Sequence, residues 1–243
     1  MLQVERITKR FGGFVALREV SFTVSEGEIV GLIGPNGSGK TTLFNVISGT
    51  LPATAGRVLL QGEEITHLLP NAICQRGIAR TFQIPRPFKV LTTVENVMLG
   101  AAFGKKRTLS PEEARARAEH YLQMVGLPID GKMWPDELTV VDLKRLEIAR
   151  ALATEPRLLL VDEALGGLHH SEMAEATEML KRIRDELGIT IVWVEHIMSA
   201  LMRVVDRVMV LHHGEKIAEG SPQEVANNPQ VIDAYLGERF LAS

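Results

Sequence analysis

The sequence holds a single cysteine, Cys74, in 243 residues, so no disulfide can close within it and a reducing compartment is expected. Long apolar runs are missing too. The longest, such as Ile189 to Val194, are strand-sized, well short of the roughly 18 to 20 residues that span a bilayer. The opening MLQVERITKR has no apolar core of a secretion signal, so any membrane role is expected to be peripheral. An excess of one charge is also lacking. A formal net charge of -3, with acids and bases interspersed, gives neither a basic footprint for nucleic acid nor a polybasic anchor. Repeats and low-complexity tracts are absent. What is present is 45% apolar content, enough for a sizeable core in one large domain or two intimate lobes.

The most informative stretch is Gly34 to Thr42, GPNGSGKTT. It fits G-x-x-x-x-G-K-[ST], follows the apolar run Ile29 to Ile33, and precedes Leu43, Phe44, Val46 and Ile47 at helical spacing. A strand, a glycine turn and a helix are what this motif requires. Gly34, Gly37 and Gly39 let main-chain N–H groups of Asn36, Ser38 and their neighbours converge on a phosphate. The new helix N-terminus adds partial positive charge. Lys40 can reach the outer phosphates, the Thr41 hydroxyl can hold Mg²⁺, and Thr42 completes the loop. The expected ligand is a nucleoside triphosphate.

Around this loop, Leu2, Val4, Ile7 and then Val20, Phe22, Val24 alternate or nearly alternate with polar residues. Arg57 to Ile65 reads as another short strand, so an antiparallel sheet is expected beside the phosphate site. Phe11-Gly12-Gly13-Phe14 lies between the first two strands, and Phe11 either stacks on a purine or packs as a core ring beside the turn. Gly49 and Pro52 end the loop helix. Further on, Arg80-Thr81-Phe82-Gln83 runs into Ile84-Pro85-Arg86-Pro87, a proline-broken boundary. The Gln83 amide there is either a sensor of a Mg²⁺-bound water or a solvated loop residue.

From Phe88 to Thr154 the pattern is helical. Ser110-Pro111-Glu112-Glu113 supplies an N-cap, a first-turn proline and a capping-box glutamate for a helix running to Gly126. In Leu138-Thr139-Val140-Val141-Asp142, Thr139 is the expected N-cap of a second helix, whose first N–H groups attract anions. Arg157 to Glu163 is an apolar strand ending in two acids. The carboxyl end of such a strand is where ligands sit in open α/β sheets, which makes Asp162 a candidate Mg²⁺ partner and Glu163 a candidate for the attacking water. Residues 171 to 187 form an amphipathic helix. The next strand, Ile189 to Val194, leads to Glu195-His196, where His196 is either structural or catalytic. Val208 to Ala218 reads as a hairpin turning at His212-His213-Gly214, and Pro222 onward as helix.

The order of these parts resembles the nucleotide-binding subunit of an ATP-binding cassette (ABC) transporter over nearly the whole chain. The resemblance implies a P-loop NTPase α/β fold with a RecA-like core, an antiparallel β subdomain and an inserted α-helical subdomain. It places the core at 1–87 and 155–220, the helical subdomain at 88–154 and a C-terminal helical tail at 221–243. It identifies Phe11 with the adenine-stacking ring, Gly34 to Thr42 with the phosphate loop and Gln83 with the Q-loop glutamine. Leu138 to Asp142 becomes the signature segment, with Thr139 and Val141 facing a nucleotide held by the opposite subunit. Asp162 and Glu163 become the Walker B aspartate and catalytic glutamate, Gly167 to His169 the D-loop and His196 the switch histidine. Lys40, Gln83, Glu163 and His196 are then the catalytic set, and Thr41, Gln83 and Asp162 the Mg²⁺ set. IARTFQ, the insert around residues 101 to 120 and the tail NNPQVIDAYLGE resemble ATPases of branched-chain amino-acid uptake systems. The implied ligands are ATP and Mg²⁺. The implied partners are membrane permease subunits, a second ATPase subunit (a copy or a paralogue) and, indirectly, a substrate-binding protein, at the cytoplasmic face of the membrane.

Two departures from the family pattern stand out. The usual Leu-Ser-Gly-Gly-Gln is here Leu-Thr-Val-Val-Asp, which requires residues 140 and 141 to be helical because valine tolerates positive φ poorly. Glu163 is followed by Ala164 where proline is usual, and His169 stands where the D-loop more often has Asp or Asn. A regulatory subunit with weak hydrolysis is the alternative these raise. Soluble cassette ATPases of translation or DNA repair usually carry two cassettes or a long coiled-coil insertion, and this sequence has neither.

Overall fold

The computed structural model describes residues 1–104 and 109–241. In chain order the elements are β1 (Leu2–Phe11), β2 (Phe14–Val24), β3 (Ile29–Ile33), α1 (Lys40–Ile47), β4 (Ala55–Leu60), β5 (Glu63–Glu64), α2 (Pro70–Gln75), β6 (Ile78–Arg80), α3 (Thr93–Phe103), α4 (Pro111–Met124), α5 (Val140–Leu152), β7 (Leu158–Asp162), α6 (His170–Leu187), β8 (Thr190–Val194), α7 (Met198–Leu201), β9 (Arg207–His212), β10 (Glu215–Gly220), α8 (Pro222–Ala226) and α9 (Pro229–Leu241). The chain divides into two compact units, Met1–Pro70 with Thr190–Ser243, and Asn71–Ile189.

The first unit holds two kinds of sheet. In one, β1 pairs antiparallel with β2 and β4, and β4 with β5. Its inward residues are those the alternation predicts: Leu2, Val4, Ile7, Val20, Phe22 and Val24 are all buried. The break in alternation between Val4 and Ile7 is a bulge. Arg6 and Glu19 both have positive φ (49° and 48°) at a register shift, and their side chains pair at 3.1 Å. The expected single strand from Arg57 to Ile65 is instead two strands. Gln61 and Gly62 have φ of 51° and 82°, the signature of a tight two-residue hairpin turn, so the chain folds back and Leu60 faces Glu63.

The other sheet of this unit is built on β3, parallel to β8 on one side and β9 on the other, with β10 antiparallel to β9. Every residue of β3 and β8 is buried, which is why both read as continuous apolar runs rather than alternating ones. The β9–β10 hairpin turns at His213 and Gly214, with φ of 48° and 79°.

In the second unit β6 runs parallel to β7, in the register Ile78 with Leu158 and Arg80 with Leu160. Residues 88–154 carry α3, α4 and α5 with no strand among the described residues. Residues 105–108 of the expected 101–120 insert lie outside them. The helix ends follow the local sequence. Thr92 and Ser110 cap α3 and α4 in reciprocal boxes with Glu95 and Glu113, and Gly188 closes α6 at φ 63°. A Cβ on Gly100 would lie 2.3 Å from the Arg150 carbonyl oxygen, so α3 and α5 meet backbone to backbone there. Of these elements, α2, β6 and α7 are too short for periodicity to mark.

Candidate active site

The phosphate loop lies in the first unit, between β3 and α1. A Cβ on Gly34 (φ 150°) would fall 2.1 Å from the Leu211 carbonyl oxygen, and one on Gly39 (φ 106°) would fall 2.8 Å from that of Ala16. Only glycine fits either place. Helix α1 starts directly from Gly39 with no side-chain cap, so its N-terminal partial charge is left for an anion. Lys40 is buried and folds back across the loop, donating from Nζ to the carbonyls of Gly34 at 2.7 Å and Pro35 at 2.9 Å. The Ser38 hydroxyl is buried and has no hydrogen-bond partner among the described residues. Thr41 is exposed at the helix start. A barred Cβ, an uncapped helix and an orphaned buried hydroxyl together fit a polyphosphate.

Beside this loop is a cavity of about 410 Å³ whose lining includes Phe14, Val15, Arg18, Gly37 and His213. The two rings of the Phe11–Phe14 hairpin are both exposed, at 47% and 66%. Their main chains are strand partners across the turn, but it is Phe14 that lines the cavity. Phe11 instead carries the Lys9 ammonium 5.0 Å from its ring centre. Phe14, Arg18 and His213 were not legible as neighbours of the loop, because the β9–β10 turn joins them only through tertiary pairing, with Arg18 N–H donating to the Gly214 carbonyl at 2.8 Å.

The acids lie in the second unit. Strand β7 ends at buried Asp162, and Glu163 turns the chain with φ 46°. Asp162 Oδ2 accepts from Arg80 Nη2 at 2.8 Å, both side chains being almost fully buried. Its main-chain N–H donates to the Thr81 hydroxyl at 3.1 Å. The Gln83 amide donates to Glu163 Oε2 at 2.5 Å. The structure therefore brings Gln83 to Glu163 and adds Arg80 to Asp162. The Phe82 ring sits 5.2 Å from the guanidinium carbons of both Arg80 and Arg86.

Thr139 caps α5, as its sequence predicts. Its hydroxyl accepts from Asp142 N–H at 3.2 Å and donates to Asp142 Oδ2 at 2.7 Å. Val140 and Val141 are helical, with Val140 58% exposed. Asp142 also lies 3.6 Å from Arg145 Nη1, so its charge is shared rather than bare. Farther along α5, burial pushes the pKa of Glu147 up and that of Arg150 down, and the two lie 3.3 Å apart. In the first unit, His196 is half exposed. Its main-chain N–H donates to the fully buried Glu195 carboxylate at 3.0 Å, and its ring Nδ1 lies 3.4 Å from the same oxygen. Glu195 is thus a partner that sequence reading passed over.

The sequence profile of the ABC transporter family matches residues 17–166, and that described as branched-chain amino acid ATP-binding cassette transporter matches residues 215–240. The chain belongs to the ABC transporter family. This cassette is 37% identical over 250 residues to the high-affinity branched-chain amino acid transport ATP-binding protein BraF of Pseudomonas aeruginosa, covering 98% of each chain. It is 38% identical over 236 residues to the sulfate/thiosulfate import ATP-binding protein CysA of Ralstonia nicotianae, covering 96% of this chain and 62% of that one. A solved ATP-binding cassette of an ABC transporter in its ADP conformation superposes with a TM-score of 0.88 at 34% identity, over 98% of both chains. The cassette is an ABC-type ATPase with the expected P-loop α/β fold. No helix among the described residues is long and apolar enough to cross a membrane.

Proposed function

We propose that this cassette is the ATP-hydrolysing subunit of an importer for branched-chain or other hydrophobic amino acids. Percent identity alone does not separate BraF at 37% from CysA at 38%, but the match spans 98% of BraF and only 62% of CysA. The observation that carries the proposal is the 215–240 match to the branched-chain amino acid cassette profile.

In this reading Lys40 leaves the Gly34 and Pro35 carbonyls for the outer phosphate oxygens, and the Ser38 hydroxyl gains the partner it lacks. Glu163 orients and deprotonates the attacking water, and Gln83, already bonded to it, reports its position. His196 donates to the γ-phosphate from its exposed ring, braced by Glu195. Phe11 or its hairpin partner Phe14 offers a ring to the base. The residues assigned to Mg²⁺ are Thr41, through its hydroxyl, in the first unit, and Asp162 and Gln83 in the second, with phosphate oxygens and water supplying the other oxygen ligands. Bound there, Mg²⁺ supplies charge neutralisation on the phosphates. The N-terminus of α5, with Thr139 and Val141, serves the nucleotide of a second cassette, whether a copy or a paralogue.

The 88–154 helices and the segment before them form the face for a permease, where Ile84, Phe88 and Val90 are exposed at 73%, 50% and 82%. Docked there, the cassette lies peripherally on the cytoplasmic face of the membrane, with a substrate-binding protein acting through the permease. The test is uptake by proteoliposomes holding the cassette with its permease subunits, its partner cassette and its binding protein. ATP-driven entry of leucine, isoleucine or valine is expected. ATP-driven entry of sulfate or another polar solute, with none of these three, would overturn the proposal.

A further inference from the structure

Helix α5 carries Lys144, Glu147 and Arg150 three residues apart, on one face. That face grips two loops. Glu147 Oε2 accepts from Phe82 N–H at 3.3 Å, and Arg150 Nη1 donates to the Arg86 carbonyl at 2.8 Å, so both flanks of Gln83 are held. On the other loop Lys144 Nζ donates to three main-chain carbonyls, those of Glu163 at 3.0 Å, Ala164 at 3.1 Å and Gly166 at 2.7 Å. An ammonium has three protons, and this one has a carbonyl for each.

The gripped turn is closed on itself by a long main-chain hydrogen bond, Gly166 N–H donating to the Glu163 carbonyl at 3.4 Å. Glu163 has φ 46°, a left-handed conformation unfavourable for a residue with a long side chain. Ala164 adds no ring to fix the chain, and Gly167 beyond it is also left-handed at φ 79°. Three carbonyl dipoles converge on one point, an arrangement that repels itself unless a cation sits there. The cation comes from the second turn of the same helix that starts at Thr139.

We propose that Lys144 is a positioning residue for Glu163. Its ammonium fixes the 163–166 turn, sets the direction of the Glu163 carboxylate, and ties that direction to the first turns of α5. Movement of the Thr139 end of α5 then moves the loops of Gln83 and Glu163 together, and their side chains stay bonded. The inference rests on Glu163 as the residue acting on the attacking water.

The test uses the full chain in its assembled transporter, with Lys144→Met and Lys144→Arg. In Lys144→Met, kcat is expected to fall at least tenfold with KM for ATP within twofold, and amide hydrogen exchange at 163–167 to quicken at least tenfold. Lys144→Arg, which keeps charge and several donors, is expected to recover more than half of the lost turnover. Full turnover in Lys144→Met, or a fall in kcat with unchanged exchange at 163–167, would overturn the proposal. If Lys144→Met does not fold, Lys144→Gln carries the same two criteria. Glu163→Gln run alongside separates the two ideas. Wild-type turnover there removes Glu163 from the chemistry, while exchange at 163–167 still decides whether Lys144 fixes the turn.

Discussion

Gln83 and Glu163, 80 residues apart in sequence, are joined by a side-chain hydrogen bond of 2.5 Å. The residue assigned to the attacking water is therefore held by the loop that precedes the helices proposed to face a permease, so its aim depends on where that loop sits. Glu163→Gln keeps the shape and removes the base. It should bind ATP as well as the wild type and lose about 10²- to 10⁴-fold in kcat, the range for a positioned general base. Gln83→Ala should cost less, and the double variant should lose less than the two single losses multiplied, because the side chains touch. Steady-state turnover and binding of a fluorescent ATP analogue measure both. Wild-type hydrolysis by Glu163→Gln would remove it from the mechanism.

Arg80 and Asp162 form an ion pair with side chains 7% and 4% exposed. Removing one partner strands a charge away from water, a loss of about 3–5 kcal/mol. Arg80→Met should lower unfolding free energy by that amount in urea titrations. Arg80→Met with Asp162→Asn should recover much of it, since no charge is then stranded. A loss under about 1 kcal/mol in Arg80→Met would mean that Asp162 is solvated or otherwise compensated.

How much of this was readable from the chain follows from how local each determinant is. Gly34 to Thr42, the Thr139 cap and the Ser110 box act within a few residues, and each stands where the sequence puts it. The Gln61-Gly62 turn was also local, but Gln61 is a weak turn former, a lone glycine is tolerated within a strand, and the apolar pattern ran up to it. Arg80 was hidden for another reason. It meets Asp162 only because β6 lies parallel to β7 in a register that places Arg80 beside Leu160, and no spacing along the chain encodes that. Phe14 and Lys144 are similar cases. One depends on the β9–β10 turn beside the loop, the other on a helix face whose targets are carbonyls, which carry no sequence signal at all.

Thr139 holds the start of α5 through both roles of its hydroxyl. Thr139→Ala should cost about 1 kcal/mol of stability, the usual loss of an N-cap, and should weaken ATP-dependent pairing of two cassettes. Thr139→Ser keeps the hydroxyl and should restore both. Chemical denaturation reads the first effect, and size-exclusion chromatography of a Glu163→Gln background with ATP reads the second. Normal ATP-dependent pairing in Thr139→Ala would detach this segment from the partner nucleotide.

Glu147 gives the pH dependence its sign. Burial raises its pKa above the ordinary 4.5, against the opposing charge of Arg150 and the N–H groups of Phe82 and Arg86. A carboxyl that holds its proton more tightly when folded contributes fully below pH 4.5, and that contribution is lost as pH rises through the raised value. Glu147→Gln resembles the protonated form at every pH and undergoes no such loss, while its side-chain oxygen still accepts from Phe82. The Tm of the variant minus that of the wild type should therefore become more positive between pH 4.5 and pH 7.5. Groups elsewhere titrate alike in both proteins and cancel in the difference. Scanning calorimetry across this range measures it. A flat difference would place Glu147 at its ordinary pKa, and a falling one would mean that its charge, through Arg150, is what holds the Gln83 loop.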